Sequence, residues 1–265
     1  MKRIAMILLA LVFCLSAVGY AAETEDDLAY IQGKGTLVIG ITEYAPMNYY
    51  DEEGTLIGFD TEFAQALCEK MGLEPEFVVI DWSTKEIELK ARSIDCLWNG
   101  LTVTEERREN MSFSEPYMEN MQVVAIRSAD AGKYTDLASI ATGALVAEEG
   151  SAGESAILTD ETLSGAIYTP ISNMASCLME IKAGTADAAV LDVVMASAMV
   201  GEGTDYEDLM IVDGVELAVE EYAIGFRVDS NMAAAVDPII DELYADGTMA
   251  ALAEKYELTS MLIAE

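Results

Sequence analysis

The chain has 265 residues, 52% of them apolar, enough for one large domain or two of ordinary size with packed cores. Against 48 acidic residues stand only 14 basic ones, a formal charge of −34; this excludes a basic face for nucleic acid and disfavours docking on anionic lipid. The absence of histidine removes the commonest general base and, with cysteine spacings that match no zinc site, argues against a metal centre; no cofactor is called for.

The first 22 residues read as a secretory signal, with Lys2 and Arg3 as a basic start, Ile4 to Val18 as an apolar run and GYAA as a small-residue exit. Cleavage after Ala21 puts Gly19 and Ala21 at the small positions, whereas cleavage after Ala22 would put bulky Tyr20 at one of them. The run is too short for a comfortable membrane span, and no later stretch reaches roughly 18 apolar residues. An exported, soluble mature protein is expected, in a periplasm or the medium. Cys14 lies inside the apolar run, but Phe13 before it is bulky where lipoprotein signals carry a small residue. Without residues 1–21 the chain keeps Cys68, Cys96 and Cys177, so at most one intramolecular disulfide can form.

Residues 26–35 suggest one or two helical turns stopped by Gly33 and Gly35, and the β-branched run 36–42 a buried strand. A tyrosine-rich loop with one proline follows, returning through a hairpin-like EEG and LIGFD. Over 58–72 apolar positions 59, 63, 67 and 71 recur every four residues, the period of an amphipathic helix closed by Gly72. Strands are expected over 74–81 and 94–100 around a polar helix at 83–92, and a further strand at 121–128. The second half repeats the alternation. Strands are read at 143–148, 165–171 and 186–192, with helices opening at Ser151, spanning 173–184 and following Asp192. Two more strands, 209–214 and 220–227, lead back to the first block, and 231–258 forms two helices broken around Asp246 and Gly247. Strands alternating with helices indicate β-α-β units and an α/β fold with parallel sheets.

Ligand crevices of open α/β sheets lie at the carboxyl ends of the strands, where Tyr44, Trp82, Asn99 and Thr102 fall. The stretch NGLTVTEERREN, 99–110, adds Arg107 and Arg108 directly after a strand. A guanidinium matches a carboxylate in bidentate fashion, which makes an arginine here a candidate anion clamp. The bland alternative is a surface arginine paired with Glu105, Glu106 or Glu109.

In order along 26–258 stand GTLVIG, YAPMNY, LIGFDTEFAQAL, IDW, IDCLWNGLTVTEERREN, SFSEPY, EEGSAGES, IKAGTADAAVLD, YAIGFR and DGTMAALAEKY. Each is weak alone. Their order and spacing resemble those of the extracytoplasmic solute-binding proteins of amino-acid ABC transporters. The resemblance implies a type II periplasmic-binding-protein fold of two α/β lobes, each a mostly parallel sheet flanked by helices, joined by two hinge crossovers. It implies a discontinuous first lobe, 26–123 plus 220–265, and an inserted second lobe, 124–219. It also implies a monomer that captures a free amino acid and passes it to membrane permease subunits. Arg107 then grips the α-carboxylate, Thr102 and the backbone around Gly100 bond the polar ends, and Asp192 takes the α-ammonium. Gly150, Ser151 and Ala152 supply backbone amides for the carboxylate.

A zwitterion requires a cationic fork at one end and an anion at the other, both desolvated and hydrogen-bonded. Backbone donors at a helix start, as at Ser151, favour an anion, and Tyr44 and Trp82, with Trp98 as a further candidate, offer aromatic walls. Contacts split between lobes make closure follow from binding. Alternatives stay open at each position: Asp192 capping the next helix, Trp82 or Trp98 filling a core, Asp60 capping a helix. Glu43 either reads a basic ligand side chain or is one more surface acid. A rival reading is an exported cyclohexadienyl-dehydratase-like enzyme on the same fold, with Glu43 or a neighbouring carboxylate as general acid.

Overall fold

The computed structural model describes residues 26–263; the expected signal segment and Cys14 lie outside them. In chain order the first half contains α1 (Asp27–Lys34), β1 (Thr36–Ile41), a small hairpin of β2 (Tyr49–Tyr50) and β3 (Leu56–Ile57), α2 (Phe59–Met71), β4 (Glu74–Val79), α3 (Lys85–Lys90), β5 (Cys96–Leu97), α4 (Glu105–Arg108) and β6 (Met111–Phe113). The middle contains β7 (Met118–Arg127), α5 (Leu137–Ile140), β8 (Ala144–Glu148), α6 (Ala152–Thr159), β9 (Ile167–Ile171), α7 (Met174–Ala183), β10 (Ala188–Asp192), α8 (Val193–Met199) and β11 (Leu209–Tyr222). The chain closes with β12 (Gly225–Arg227), α9 (Met232–Ala245) and α10 (Thr248–Lys255).

Two five-stranded sheets result, β4-β1-β5-β12-β6 and β11-β7-β10-β8-β9. In each, four strands run one way and one runs against them, β12 in the first sheet and β7 in the second. The alternation of strands and helices implied this α/β class, and the family resemblance implied its two lobes. The lobes are tied by a two-stranded ribbon in which Met118, Glu119 and Asn120 pair with Tyr222, Glu221 and Glu220.

Local chemistry explains the elements that matter for the cleft. In α2 Phe59, Phe63 and Leu67 are buried on one face, and Gly72 ends the helix in the left-handed region with its N–H returned to Cys68. Phe63 meets the Trp98 ring edge-on at 4.7 Å, which places Trp98 in the first lobe's core. Ser151 caps α6 by accepting from the Glu154 amide at 3.1 Å. Gly153 lets that helix approach β10: a Cβ there would stand 2.8 Å from the Val190 carbonyl oxygen.

Several expectations need correction. The strands expected at 74–81 and 94–100 are shorter, 74–79 and 96–97, because the chain leaves the ladder to build the loops at the sheet's edge. The segments expected as separate strands at 209–214 and 220–227 contain one long strand, β11, followed by β12. β11 absorbs its Asp213-Gly214 pair as an irregularity of register, with Gly214 at φ 72°. Among the described residues no helix is long and apolar enough to cross a membrane.

Candidate ligand-binding site

A narrow cavity of about 10 Å³ lies between the sheets. Tyr44, Trp82, Asn99, Gly100, Thr102 and Arg107 line it from the first lobe, and Glu148, Ser151, Ala152, Met174 and Asp192 from the second. That is room for about one water, far below the roughly 300–1,000 Å³ of sites for drug-sized ligands, so a ligand is admitted only when the lobes part. Nine of the ten residues singled out from sequence share the cavity. The tenth, Glu43, is exposed and lines a separate opening with Thr42, Asp81 and Asn173.

Arg107 reaches the cavity because Thr104 caps the short α4, accepting from the Arg107 amide at 3.1 Å. Its guanidinium donates to the Thr102 carbonyl at 2.8 Å and to the Gly150 carbonyl at 3.1 Å, so it bridges the lobes. The surface-pair alternative belongs to its neighbour: Arg108 is half exposed and lies 3.8 Å from Glu105. Lys85, also buried, donates to the same Gly150 carbonyl at 2.8 Å. Burial, and then the Arg107 charge, push the Lys85 ammonium down to about 8.

Asp192 stands at the helix-cap position of α8 yet makes no side-chain cap bond. Its carboxylate instead accepts from Asn120 at 2.7 Å and from Gln122. Burial, followed by the nearby Glu220 charge, pushes it up to about 7. Glu220 accepts from Thr102 at 3.0 Å, Asn120 at 3.0 Å and Gln122 at 2.9 Å. The site thus includes a hinge network of Asn120, Gln122 and Glu220 that sequence reasoning missed. A signal existed: Asn120 and Gln122 are polar residues at period two, just before the apolar run 123–126 of the same strand.

Other candidates are partly committed elsewhere. The Asn99 amide is held by Thr42, accepting from its N–H at 3.0 Å and its hydroxyl at 2.7 Å, and donating to its carbonyl at 2.9 Å. Gly100, at φ 57°, donates its N–H to Asp60 at 2.7 Å, leaving its carbonyl for other partners. Asp60 is therefore no helix cap; it is a buried acceptor for Gly100 and for the Tyr117 hydroxyl at 2.8 Å, pushed up to about 7 by burial. The Gly150 amide donates to Glu154 at 2.7 Å and the Ser151 amide to the Glu148 carbonyl at 3.1 Å. Of that turn, Ala152 at the first helical position has an amide with no intrahelical partner. Tyr44 and Trp82 are buried walls, with the Tyr44 hydroxyl 2.7 Å from that of Tyr222.

Glu148 was not anticipated. It ends β8 and is 3% exposed. Its carboxylate accepts from the Met174 amide, while Oε1 has no hydrogen-bond partner. Burial first, then the Asp192 charge, push it up to about 8.

Residues 37–259 match the profile of the bacterial extracellular solute-binding proteins, family 3. The arginine-binding extracellular protein ArtP of Bacillus subtilis is 26% identical over 97% of this chain and 98% of its own length. Among solved structures, Tv2483 bound to L-arginine superposes with a TM-score of 0.83 at 26% identity, covering 89% of this chain and 96% of its own. The ancestral amino-acid-binding protein AncCDT-1, a precursor of cyclohexadienyl dehydratase, gives 0.77 at 28% identity over 86% of this chain and 98% of its own.

Proposed function

The chain belongs to the bacterial extracellular solute-binding proteins of family 3, and from that membership we propose an exported receptor that holds one free amino acid between its lobes and delivers it to an ABC-transporter permease. It works as a monomer, in a periplasm or the medium. Residues 26–123 with 220–263 move as one lobe and 124–219 as the other, about the ribbon of β7 and β11. Arg107 takes the α-carboxylate with help from the Ala152 amide at the start of α6. Asp192, held by Asn120 and Gln122, takes the α-ammonium together with the Gly100 carbonyl and the Thr102 hydroxyl. Tyr44 and Trp82 cover the side chain.

One observation carries this reading: Arg107 and Asp192, from different lobes, line the same small cavity. Closure is then the energetic consequence of binding, since only the shut form lets both ends of a zwitterion find a charge. Titration calorimetry with the common amino acids tests it. At least one should bind, and Arg107→Ala should weaken that binding by about 2–5 kcal/mol, well over tenfold. Undiminished affinity in the variant would sink the assignment. A second reading, dehydration of a cyclic dienyl acid, is favoured by one feature alone, the buried Glu148 carboxyl able to act as an acid; turnover of prephenate by the purified protein would establish it.

A further inference from the structure

Resting on that receptor reading, we infer that the ligand carries a cationic side chain and that Glu148 is the residue that reads it. The ionisable side chains lining the cavity, apart from Tyr44, are Arg107, Asp192 and Glu148. An amino acid's own two ends satisfy the first two and leave one carboxylate over. A buried carboxylate is retained at a cost unless it is paired, yet Glu148 Oε1 has no partner among the described residues. Its other bond, from the Met174 amide at the start of α7, fixes the carboxylate without neutralising it. Lys85 does not close the account: its ammonium is spent on the Trp82 and Gly150 carbonyls at 3.1 and 2.8 Å. Trp82 and Tyr44 line the same cavity, and the Lys85 ammonium lies over the Trp82 ring, 5.1 Å from its centroid, so this aromatic wall tolerates a cation. Glu43, the residue singled out from sequence for this task, is exposed in the neighbouring opening.

A proton linkage follows. In the empty cavity Glu148, pushed up to about 8, holds its proton at neutral pH. The groups that act on it are Asp192 and Asp81, which favour the neutral form, Lys85, which favours the charged form, and the Cys177 thiol on α7. A ligand cation reverses the balance and drives the proton out, so binding releases it to the buffer.

Calorimetric titration of the full protein with L-arginine, L-lysine, L-citrulline and L-norleucine, in two buffers of different ionisation enthalpy, tests this. Arginine or lysine should bind at least about tenfold more tightly than its neutral counterpart. Glu148→Gln should collapse that ratio towards unity and reduce the protons released. Equal affinity for citrulline and arginine in the unaltered protein, or a ratio that Glu148→Gln leaves intact while Glu43→Gln abolishes it, would overturn the inference and leave the receptor reading standing. Binding of no amino acid at all would instead overturn the receptor reading on which it rests.

Discussion

Asp192 makes the ligand-free protein's stability depend on pH in a direction opposite to that of its affinity. In the unfolded chain an aspartate titrates near 3.9; in the fold Asp192 is pushed up to about 7 by burial and by Glu220. Between about pH 5 and 7 the folded form therefore keeps a proton that the unfolded form has lost. Unfolding free energy then falls as pH rises, by at most about 1.4 kcal/mol per unit and by about 2 kcal/mol over that window, since the slope fades as Asp192 ionises near pH 7. Asp192→Asn removes this contribution while keeping the shape and a bond to the hinge amides. Urea unfolding of the ligand-free protein at pH 5 and 7 should show the parent losing about 2–3 kcal/mol more than the variant. Asp60 and Glu148 are also raised, to about 7 and about 8, and add slopes of the same sign; Asp60 does so alike in both proteins, whereas Glu148, raised in part by the Asp192 charge, adds less in the variant, so the difference reports Asp192 together with its effect on Glu148. Ligand affinity should run the other way, weakening as pH falls through 7, because the α-ammonium requires the ionised carboxylate. An identical pH slope in parent and variant would refute the assignment of a protonated, buried Asp192.

Two further substitutions probe the surroundings. Arg108→Ala should leave amino-acid affinity within about twofold and stability within about 0.5 kcal/mol, since its ion pair is exposed; calorimetry and thermal melting of the variant check the contrast with Arg107. Gly153→Ala should destabilise by about 1–3 kcal/mol, because its Cβ would press on the Val190 carbonyl 2.8 Å away. A melting temperature lowered by about 2 °C or more shows this, and an unchanged one would mean that α6 retreats freely from β10.

Much of the frame was legible because it is local. Apolar recurrence at 59, 63 and 67 with Gly72 beyond it specifies α2 and its end, and Ser151 before an alanine-rich stretch specifies a capped helix start. What stayed hidden depends on distant partners. Glu148 looks like the solvent-facing end of a strand, since nothing nearby announces that α7 and the opposite lobe bury it. Asn120 and Glu220 are 100 residues apart and meet only because the hinge ribbon pairs them. Asp60 sits where a cap is expected, but the cap position belongs to Gly58, whose φ of 129° lets it pass beneath the Met47 carbonyl. Asp213-Gly214 has the composition of a turn, and only the partner strand β7 keeps it within a ladder.

The most direct test compares, in one calorimetric series, the best-bound free L-amino acid with its α-methyl ester and its N-acetyl derivative. Each derivative keeps the side chain and cancels one end charge. If Arg107 and Asp192 grip opposite ends of the ligand, each modification should cost at least about 2 kcal/mol, roughly thirtyfold in affinity. A derivative that binds as tightly as the free amino acid would contradict the account.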